Sequence, residues 1–227
     1  MFIWNSKIEC SLKVGIKERK EQERKARRRR IQKAAKELFI AKGFKATTMD
    51  EIAEKAELSA GTIYQYFKNK EDLYFSFNLK PLMLLHNRLK EIRGNNGLSN
   101  EEKIIQFKES FYETFQRDPL LLSNLLHIQL EGSSLRQSVS EEQINELNYF
   151  FKENYTIMAD TYLDGVHKGI FREGHGIAHA DIIWGIFIGI MVLEEAKRGL
   201  NPQKDFFKPT LDRAFDIFIR GIKNKRE

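Results

Sequence analysis

The chain has 227 residues, of which 41% are hydrophobic and 31% are charged, a composition typical of a globular protein of one or two domains. A single cysteine, Cys10, excludes a disulfide framework within one chain and favours a reducing compartment, so we expect a cytoplasmic location. The longest apolar run, residues 182–193, is shorter than the roughly 20 residues of a membrane span. It predicts a buried helix.

The excess positive charge lies in the first third of the chain. Residues 1–75 hold 18 of the 38 Lys and Arg residues and 11 of the 32 acidic residues, a net charge of +7. Residues 76–227 carry the remaining −1. This asymmetry indicates a polyanionic partner for the N-terminal part, although a solvated basic surface would have the same composition.

The first predicted helix follows a highly charged segment. Residues 1–24 form a basic N-terminal extension that we expect to be partly disordered. Apolar residues then recur from Ile31 to Phe39 with the spacing of one helical face. Gly43 is placed to end this helix.

Two short helices joined by a tight turn come next. Thr48 and Glu51 form a capping box for the second helix, and Ser59 is a suitable N-cap for the third. Ile63 and Phe67 supply the buried pair of the third helix. Two helices of about eight residues with a turn of about three predict a helix-turn-helix, whose second helix enters the major groove of DNA.

The third predicted helix differs from its neighbours in charge. Its first turn lacks acidic residues, which leaves its N-terminal amides available to a phosphate. Gly61 costs roughly 1 kcal/mol relative to Ala in a helix, a cost that close approach to DNA would explain. Hydroxyls of Tyr64 and Tyr66 can bond phosphates, and Thr62 and Gln65 can reach base edges. Each of these residues taken alone would more often serve packing.

The rest of the chain is predicted to be helical. Asn69 caps a fourth helix that continues to about Arg93, with a kink at Pro81. Further helices are predicted at about 99–117, 119–131, 140–171, 179–199 and 206–223. The predicted fold is all-α, with about nine helices: an N-terminal three-helix helix-turn-helix head and a larger C-terminal helical effector and dimerisation body.

The stretch from residue 47 to residue 74, TTMDEIAEKAELSAGTIYQYFKNKEDLY, resembles the DNA-binding domain of the TetR family of bacterial transcriptional regulators. With the preceding helix, the resemblance covers about residues 30–77. The body resembles the family in its helix count, in residues 164–174 and in its last helix. The predicted domains are the extension at 1–24, a DNA-binding domain at 25–80 with its helix-turn-helix pair at about 48–68, and an effector-binding and dimerisation domain at 81–227.

The resemblance implies a homodimer on a palindromic double-stranded DNA operator. It places Thr48, the two tyrosines and Lys70 on phosphates, and the start of the third helix on bases. The predicted DNA-contacting residues are Thr48, Ser59, Ala60, Gly61, Thr62, Tyr64, Gln65, Tyr66, Lys68 and Lys70. The basic lead at 17–30 departs from the short tail of many members. It either extends the first helix, lies along DNA as an arm, or is a solvated charged face.

The resemblance also implies that the last two helices form the dimer interface. The predicted interface residues are Trp184, Gly185, Ile188, Gly189, Leu211, Phe215 and Phe218. Aromatic and Met enrichment in the body suggests a pocket for a small, apolar effector. Its predicted lining residues are Phe107, Phe111, Phe115, Leu126, Phe151, Tyr155, Met158 and Tyr162. Packing within one chain is the alternative for both sets.

The predicted function is a repressor that a small ligand releases from its operator. The alternatives are an activator, a ligand-independent DNA-binding regulator, an enzyme with a DNA-binding head, and a structural protein. The body contains no nucleophile elbow, phosphate loop or catalytic carboxylate–histidine pattern, so we expect no enzymatic activity and no cofactor. His175 and His179 lack an identifiable third ligand, so no metal site is predicted.

Overall fold

A computed structural model gives the structure of residues 3–118, 120–121, 137–201 and 205–224. Nine helices are described in these ranges: α1 (Ile3–Ala46), α2 (Met49–Lys55), α3 (Ala60–Tyr64), α4 (Lys70–Phe75), α5 (Leu79–Gly94), α6 (Asn100–Arg117), α7 (Glu141–His167), α8 (Gly176–Leu200) and α9 (Phe207–Ile222). The all-α prediction is confirmed. Most of the helix predicted at 119–131, with the pocket residue Leu126, lies outside the described residues.

The chain divides into two compact units. The first contains Met1–Phe77 and Leu126–Glu141, and the second contains Asn78–Leu125 and Glu142–Glu227. The described residues 137–141 belong to the first unit, a feature that the predicted domain limits do not contain. Those limits stay predictions.

In the first unit, the core face of α1 was correctly predicted. Ile31, Ala35 and Phe39 are almost fully buried, as their helical spacing requires. The helix is interrupted at Gly43, whose φ of 79° and ψ of 167° are not helical. A glycine adopts this positive φ without the steric cost that a side chain would add. Towards the N-terminus, α1 continues through the basic extension, so the first of the three alternatives for that segment describes its backbone.

The predicted kink at Pro81 is wrong. Two helices are present instead of one, because α4 ends at Phe75 and α5 begins at Leu79. Pro81 is the third residue of α5, in a first turn where no helical carbonyl awaits its missing amide hydrogen. Extending α4 through Pro81 would have left the Phe77 carbonyl without a donor, so the chain ends one helix and starts another.

The second unit contains an aromatic core shared by α6, α7, α8 and α9. Phe111 and Phe115 of α6 lie 5.3 and 5.0 Å from Phe187 of α8, measured between ring centroids. The ring of Phe171, just after α7, packs where a Cβ on Gly165 would stand, only 2.2 Å away. A glycine is therefore required at position 165. An isolated bridge from Phe171 to Lys223 ties this segment to the end of α9.

Candidate DNA interface

The capping box that opens the helix-turn-helix is confirmed. The Thr48 hydroxyl accepts a hydrogen bond from the Glu51 amide at 3.3 Å, and the Glu51 carboxylate accepts one from the Thr48 amide at 2.8 Å. The Lys42 ammonium, followed by the Thr48 amide and hydroxyl, lowers the pKa of Glu51 to about 2. The side chain of Thr48 thus holds the start of α2 while remaining exposed to a ligand.

The turn between α2 and α3 is built around Glu57. Its φ of 51° lies in the left-handed region that favours glycine. The Leu58 amide donates to the Ala53 carbonyl at 3.0 Å, and the Glu57 amide donates to the Glu54 carbonyl at 2.9 Å. These two bonds form a Schellman motif, which satisfies the terminal carbonyls of α2 and reverses the chain.

The third helix is shorter than predicted. It spans five residues, after which amide bonds from Gln65, Tyr66 and Phe67 continue one further irregular turn. Ser59 caps it as predicted, with its hydroxyl 3.2 Å from the Thr62 amide and 2.8 Å from the Thr62 hydroxyl. The buried pair of Ile63 and Phe67 is also confirmed.

The absence of acids from the first turn does not distinguish α3. The helices α5, α8 and α9 also begin without acidic residues. The Thr62 amide is already taken by Ser59, and a helix of five residues has a small dipole. The hypothesis that a phosphate occupies this N-terminus therefore loses its main support. Contacts between α3 and DNA would then depend mainly on its exposed side chains.

Several of the residues predicted to contact DNA are exposed to solvent. Tyr64 is 54% exposed, Gln65 and Gly61 are exposed, and a Cβ on Gly61 would meet nothing within 4 Å. The internal packing of the chain does not explain this glycine, which leaves close approach of a partner as its predicted reason. Ser59 and Lys68 are also exposed, whereas Ala60, Thr62 and Tyr66 are half-buried.

Lys70 has a structural role that the sequence did not indicate. Its ammonium donates to the carbonyls of Phe44 and Thr47 at 2.9 and 2.8 Å, and it lies 4.4 Å from the centroid of the Phe44 ring. These contacts tie the start of α4 to the end of α1. A phosphate could engage only the remaining hydrogen of this ammonium.

The turn between α3 and α4 is fixed by a distant segment of the same unit. The buried Asp72 carboxylate accepts hydrogen bonds from the amides of Lys68 and Ser140 at 3.1 and 3.0 Å. Asn69 donates to the Ser138 carbonyl at 2.7 Å, and the Lys68 ammonium donates to the Gln137 carbonyl at 3.1 Å. Sequence reasoning missed this arrangement because the partners are almost 70 residues apart.

The predicted pocket residues separate into two groups. Phe111 and Phe151 share Trp184, at centroid distances of 5.7 and 5.9 Å. Tyr162 instead stacks on His179 at 3.7 Å and donates to the Arg172 carbonyl at 2.7 Å. Phe107, Phe115 and Met158 are buried. Tyr155 is partly buried, and this burial, followed by the negative charge of Asp181, raises the pKa of its hydroxyl to about 12. Their role as a ligand site stays a prediction.

The predicted interface residues also differ among themselves. Leu211 and Phe215 are 0% and 1% exposed, so they have no free surface to offer a partner chain. Phe218 is likewise buried, and Trp184 packs on rings of its own chain. Leu211, Phe215 and Phe218 belong to the core because α9 turns its apolar face inward, whereas Trp184 of α8 is half-buried. Gly185 and Gly189 are exposed and Ile188 is half-buried.

Within the single chain, the helix α8 is buried on one side only, so this chain alone does not supply the cover on several sides that the sequence predicts. Ile183, Phe187 and Met191 form its buried stripe, but Ile182 and Leu193 on the opposite face are 46% and 60% exposed. Within Gly176–Lys197, its most apolar window of 18 residues has a mean hydropathy of 1.9 and is only 28% buried. That length and composition would also fit a membrane span, a weak indication for a single helix of this kind. A partner chain would cover the exposed face.

The two histidines near the start of α8 have local partners. His175 is the N-cap, with Nδ1 3.3 Å from the Ala178 amide, and His179 Nδ1 lies 2.9 Å from the His175 carbonyl. Among the described residues, no three His, Cys, Asp or Glu side chains are grouped as metal ligands would be.

Comparison with known proteins agrees with this geometry. Residues 31–77 match the family model for bacterial regulatory proteins of the tetR family. The uncharacterized HTH-type transcriptional regulator YvkB of Bacillus subtilis is 27% identical over 86% of this chain and 96% of its own length. The fatty acid metabolism regulator protein of the same organism is 24% identical over 85% of this chain and 93% of its own length.

A solved structure extends the likeness to the whole fold. FadR from Bacillus subtilis, solved in complex with stearoyl-CoA, aligns with a TM-score of 0.64 at 22% identity. The alignment covers 85% of this chain and 98% of that one. A matching helix-turn-helix, full-length relatives that regulate transcription and a shared all-α fold lead to one conclusion. Residues 31–77 form a DNA-binding domain of the TetR family of bacterial transcriptional regulators, and the whole chain is similar in sequence and fold to regulators of this kind.

Proposed function

We propose that this regulator represses transcription as a homodimer and leaves its palindromic operator when a small ligand with a large apolar part binds. The observation that carries the DNA-binding part is the exposure of Gly61, Tyr64 and Gln65 on the second helix of a helix-turn-helix whose first helix is capped by the exposed Thr48. Tyr64 can donate to a phosphate, and Gln65 can form the bidentate contact that recognises adenine.

The exposed face of α8 supports the homodimer. Ile182, Gly185, Gly189 and Leu193 share this face, and apolar surface of this kind gains free energy when it leaves water. The two glycines, four residues apart, would let a partner helix approach closely. A second copy of the chain would supply an identical apolar face, as a two-fold interface requires.

Acyl-CoA thioesters are the ligand class to test first. The fatty acid metabolism regulator and the FadR complex with stearoyl-CoA are full-length relatives of this chain in sequence or fold. The body also provides apolar and aromatic side chains, including Phe107, Phe111 and Met158, that would suit an acyl chain. A ligand that binds the DNA-free arrangement more tightly shifts the population away from the operator.

The test begins with the full chain and a duplex that it selects from a random-sequence pool. Short-, medium- and long-chain acyl-CoAs are titrated into the complex, with coenzyme A alone as the control. We expect release that depends on acyl chain length and does not occur with coenzyme A. If the chain selects no sequence, the proposed regulator function is wrong. If it binds a specific duplex but no thioester releases it, the proposal of acyl-CoA as the ligand class is wrong.

Two single substitutions test how the contacts are divided. Gln65→Ala should change base preference at one position of the half-site, by about 1–3 kcal/mol. Tyr64→Phe should weaken binding to all sequences by about 1 kcal/mol, because it removes one phosphate hydrogen bond. Binding to randomised duplexes measures both effects, and the opposite pattern would contradict the assignment.

Activation is the competing function within the same family. Deleting the gene should raise expression of a reporter placed behind the selected duplex if the protein represses. A fall in expression would identify an activator.

A further inference from the structure

The basic segment of α1 from residue 16 to residue 30 is largely exposed. Side chains from Ile16 to Arg30 are exposed, except the half-buried Arg28. Helical periodicity nevertheless continues the core-facing side of α1 into this segment, through Lys20, Arg24 and Arg27. These three cations therefore point to the same side of α1 as the helix-turn-helix.

Arg28 fixes this part of α1 against the end of the helix-turn-helix. Its guanidinium donates to the Tyr66 carbonyl at 3.2 Å and lies 4.3 Å from the centroid of the Phe67 ring. A planar guanidinium that both stacks and donates is well held, so the rotation of this part of α1 about its own axis is defined.

Between α1 and the helix-turn-helix lies a groove of about 260 Å³. Lys20, Glu23, Arg24 and Arg27 line it from α1, and Gln65 and Tyr66 line it from the helix-turn-helix. We call these six residues the basic groove. Glu23, its one acid, is paired with Arg19 at 3.1 Å. Within the described parts of the chain, Lys20, Arg24 and Arg27 form no ion pair.

We propose that the basic groove binds phosphates of duplex DNA just outside the half-site that α3 reads, an inference that rests on the proposed function. Gln65 and Tyr66 belong to both surfaces, so DNA docked on α3 passes the groove. The helix rises roughly 10 Å between Lys20 and Arg27, whereas three phosphates of one strand span about 7 Å along the DNA axis, a difference that long Lys and Arg side chains can bridge. Three unpaired cations match three phosphates in number.

The opposite face of α1 provides a matched control. Lys25, Arg29 and Lys33 are exposed, carry the same charge and repeat every four residues, but they point away from the groove. The groove variant is Lys20→Gln, Arg24→Gln and Arg27→Gln combined, and the control variant is Lys25→Gln, Arg29→Gln and Lys33→Gln combined. Both lose three positive charges, so their effect on the overall field is equal.

The experiment measures affinity against salt concentration for the full chain and both variants. The probes are the selected duplex with long flanks and a version trimmed to its half-sites. For the long duplex, the groove variant should reduce the slope of log affinity against log salt by about 2.7 per head, from about 0.9 per phosphate. The control variant should change it by much less, and trimming the flanks should abolish the difference.

Equal losses in the two variants would show a long-range field rather than a groove, and an unchanged slope in the groove variant would show a solvated face; either overturns the proposal. In both cases the full chain still prefers its selected duplex, so the proposed function survives. Loss of that preference in the full chain would instead overturn the proposed function. Circular dichroism of the variants confirms that both remain folded.

Discussion

The DNA-facing surface of the first unit and the exposed face of α8 in the second unit reach solvent in different ways. On the first, Thr48 and Ser59 bond neighbouring amides, and the Lys70 ammonium is held by two carbonyls. On the second, the exposed side chains of Ile182 and Leu193 have no polar group that could form a hydrogen bond.

This difference separates a surface that is stable when uncovered from one that is not. Polar groups bonded to their own backbone lose little when a ligand leaves, because water replaces the remaining contacts. Exposed aliphatic side chains remain unfavourable until another apolar surface covers them. The first unit can therefore bind and release DNA reversibly, while α8 calls for a lasting partner.

The largest expected effect comes from charging the apolar face. Leu193→Asp should convert the dimer to monomers and lower operator affinity by about 100-fold or more, because two linked heads lose their joint binding. Sedimentation and operator titration measure the two effects. Ile177→Asp is the control, since Ile177 is exposed on another face of α8, and equal dissociation by both variants would contradict the interface.

A smaller effect tests whether Lys70 holds the first unit together. Lys70→Met should cost about 2 kcal/mol of local stability, because two carbonyls lose a charged donor. Hydrogen exchange of amides in α4 and at the end of α1 reports this loss without DNA. The exposed Lys45→Met serves as control. Unchanged exchange with weaker DNA binding would return Lys70 to the purely phosphate-binding role that the sequence suggested.

Removing one helix cap should lower local stability by about half as much as Lys70→Met does. Thr48→Ala should destabilise α2 by about 1 kcal/mol, seen as faster amide exchange in that helix. The second unit offers the same device at Ser99 and Glu102. Ser99→Ala should loosen α6 and leave α2 unchanged; loosening of both helices by either variant would show that the units do not respond independently.

The capping box of Thr48 and Glu51 also predicts that the stability of α2 depends on pH. The pKa of Glu51 is lowered from 4.5 to about 2, chiefly by Lys42, so its ionised form stabilises the folded state. That contribution is complete above pH 4.5 and is lost as pH falls towards 2. Protection of α2 amides should follow this window in the native chain. In Lys42→Met the pKa rises, so the loss should begin at higher pH; an unchanged profile would exclude Lys42 as the main cause.

The smallest expected effect concerns the turn. Glu57→Asn should stabilise the first unit by about 0.5 kcal/mol, because Asn tolerates the left-handed conformation better than Glu. Glu57→Gln removes the charge that pairs with Arg30 but retains the strain. Thermal unfolding of both variants separates the two contributions, and equal shifts would mean that charge rather than backbone strain decides.

The sequence by itself determined the features that depend on near neighbours. The caps at Thr48, Ser59 and Asn69 and the buried pair of Ile63 and Phe67 depend on residues three or four positions apart. Turn chemistry and helical period act over that distance, which is why they could be predicted. The DNA-binding fold followed from them.

Only the tertiary structure decided which partner each face meets. A helical period marks Leu211 and Phe215 as apolar, but it does not say whether a second chain or the same chain covers them, and the fold buries them in their own unit. The bond from Ser140 to Asp72 and the position of Arg28 beside Phe67 likewise join residues far apart in the chain. Such contacts depend on how whole helices pack, and packing is a property of all the elements together.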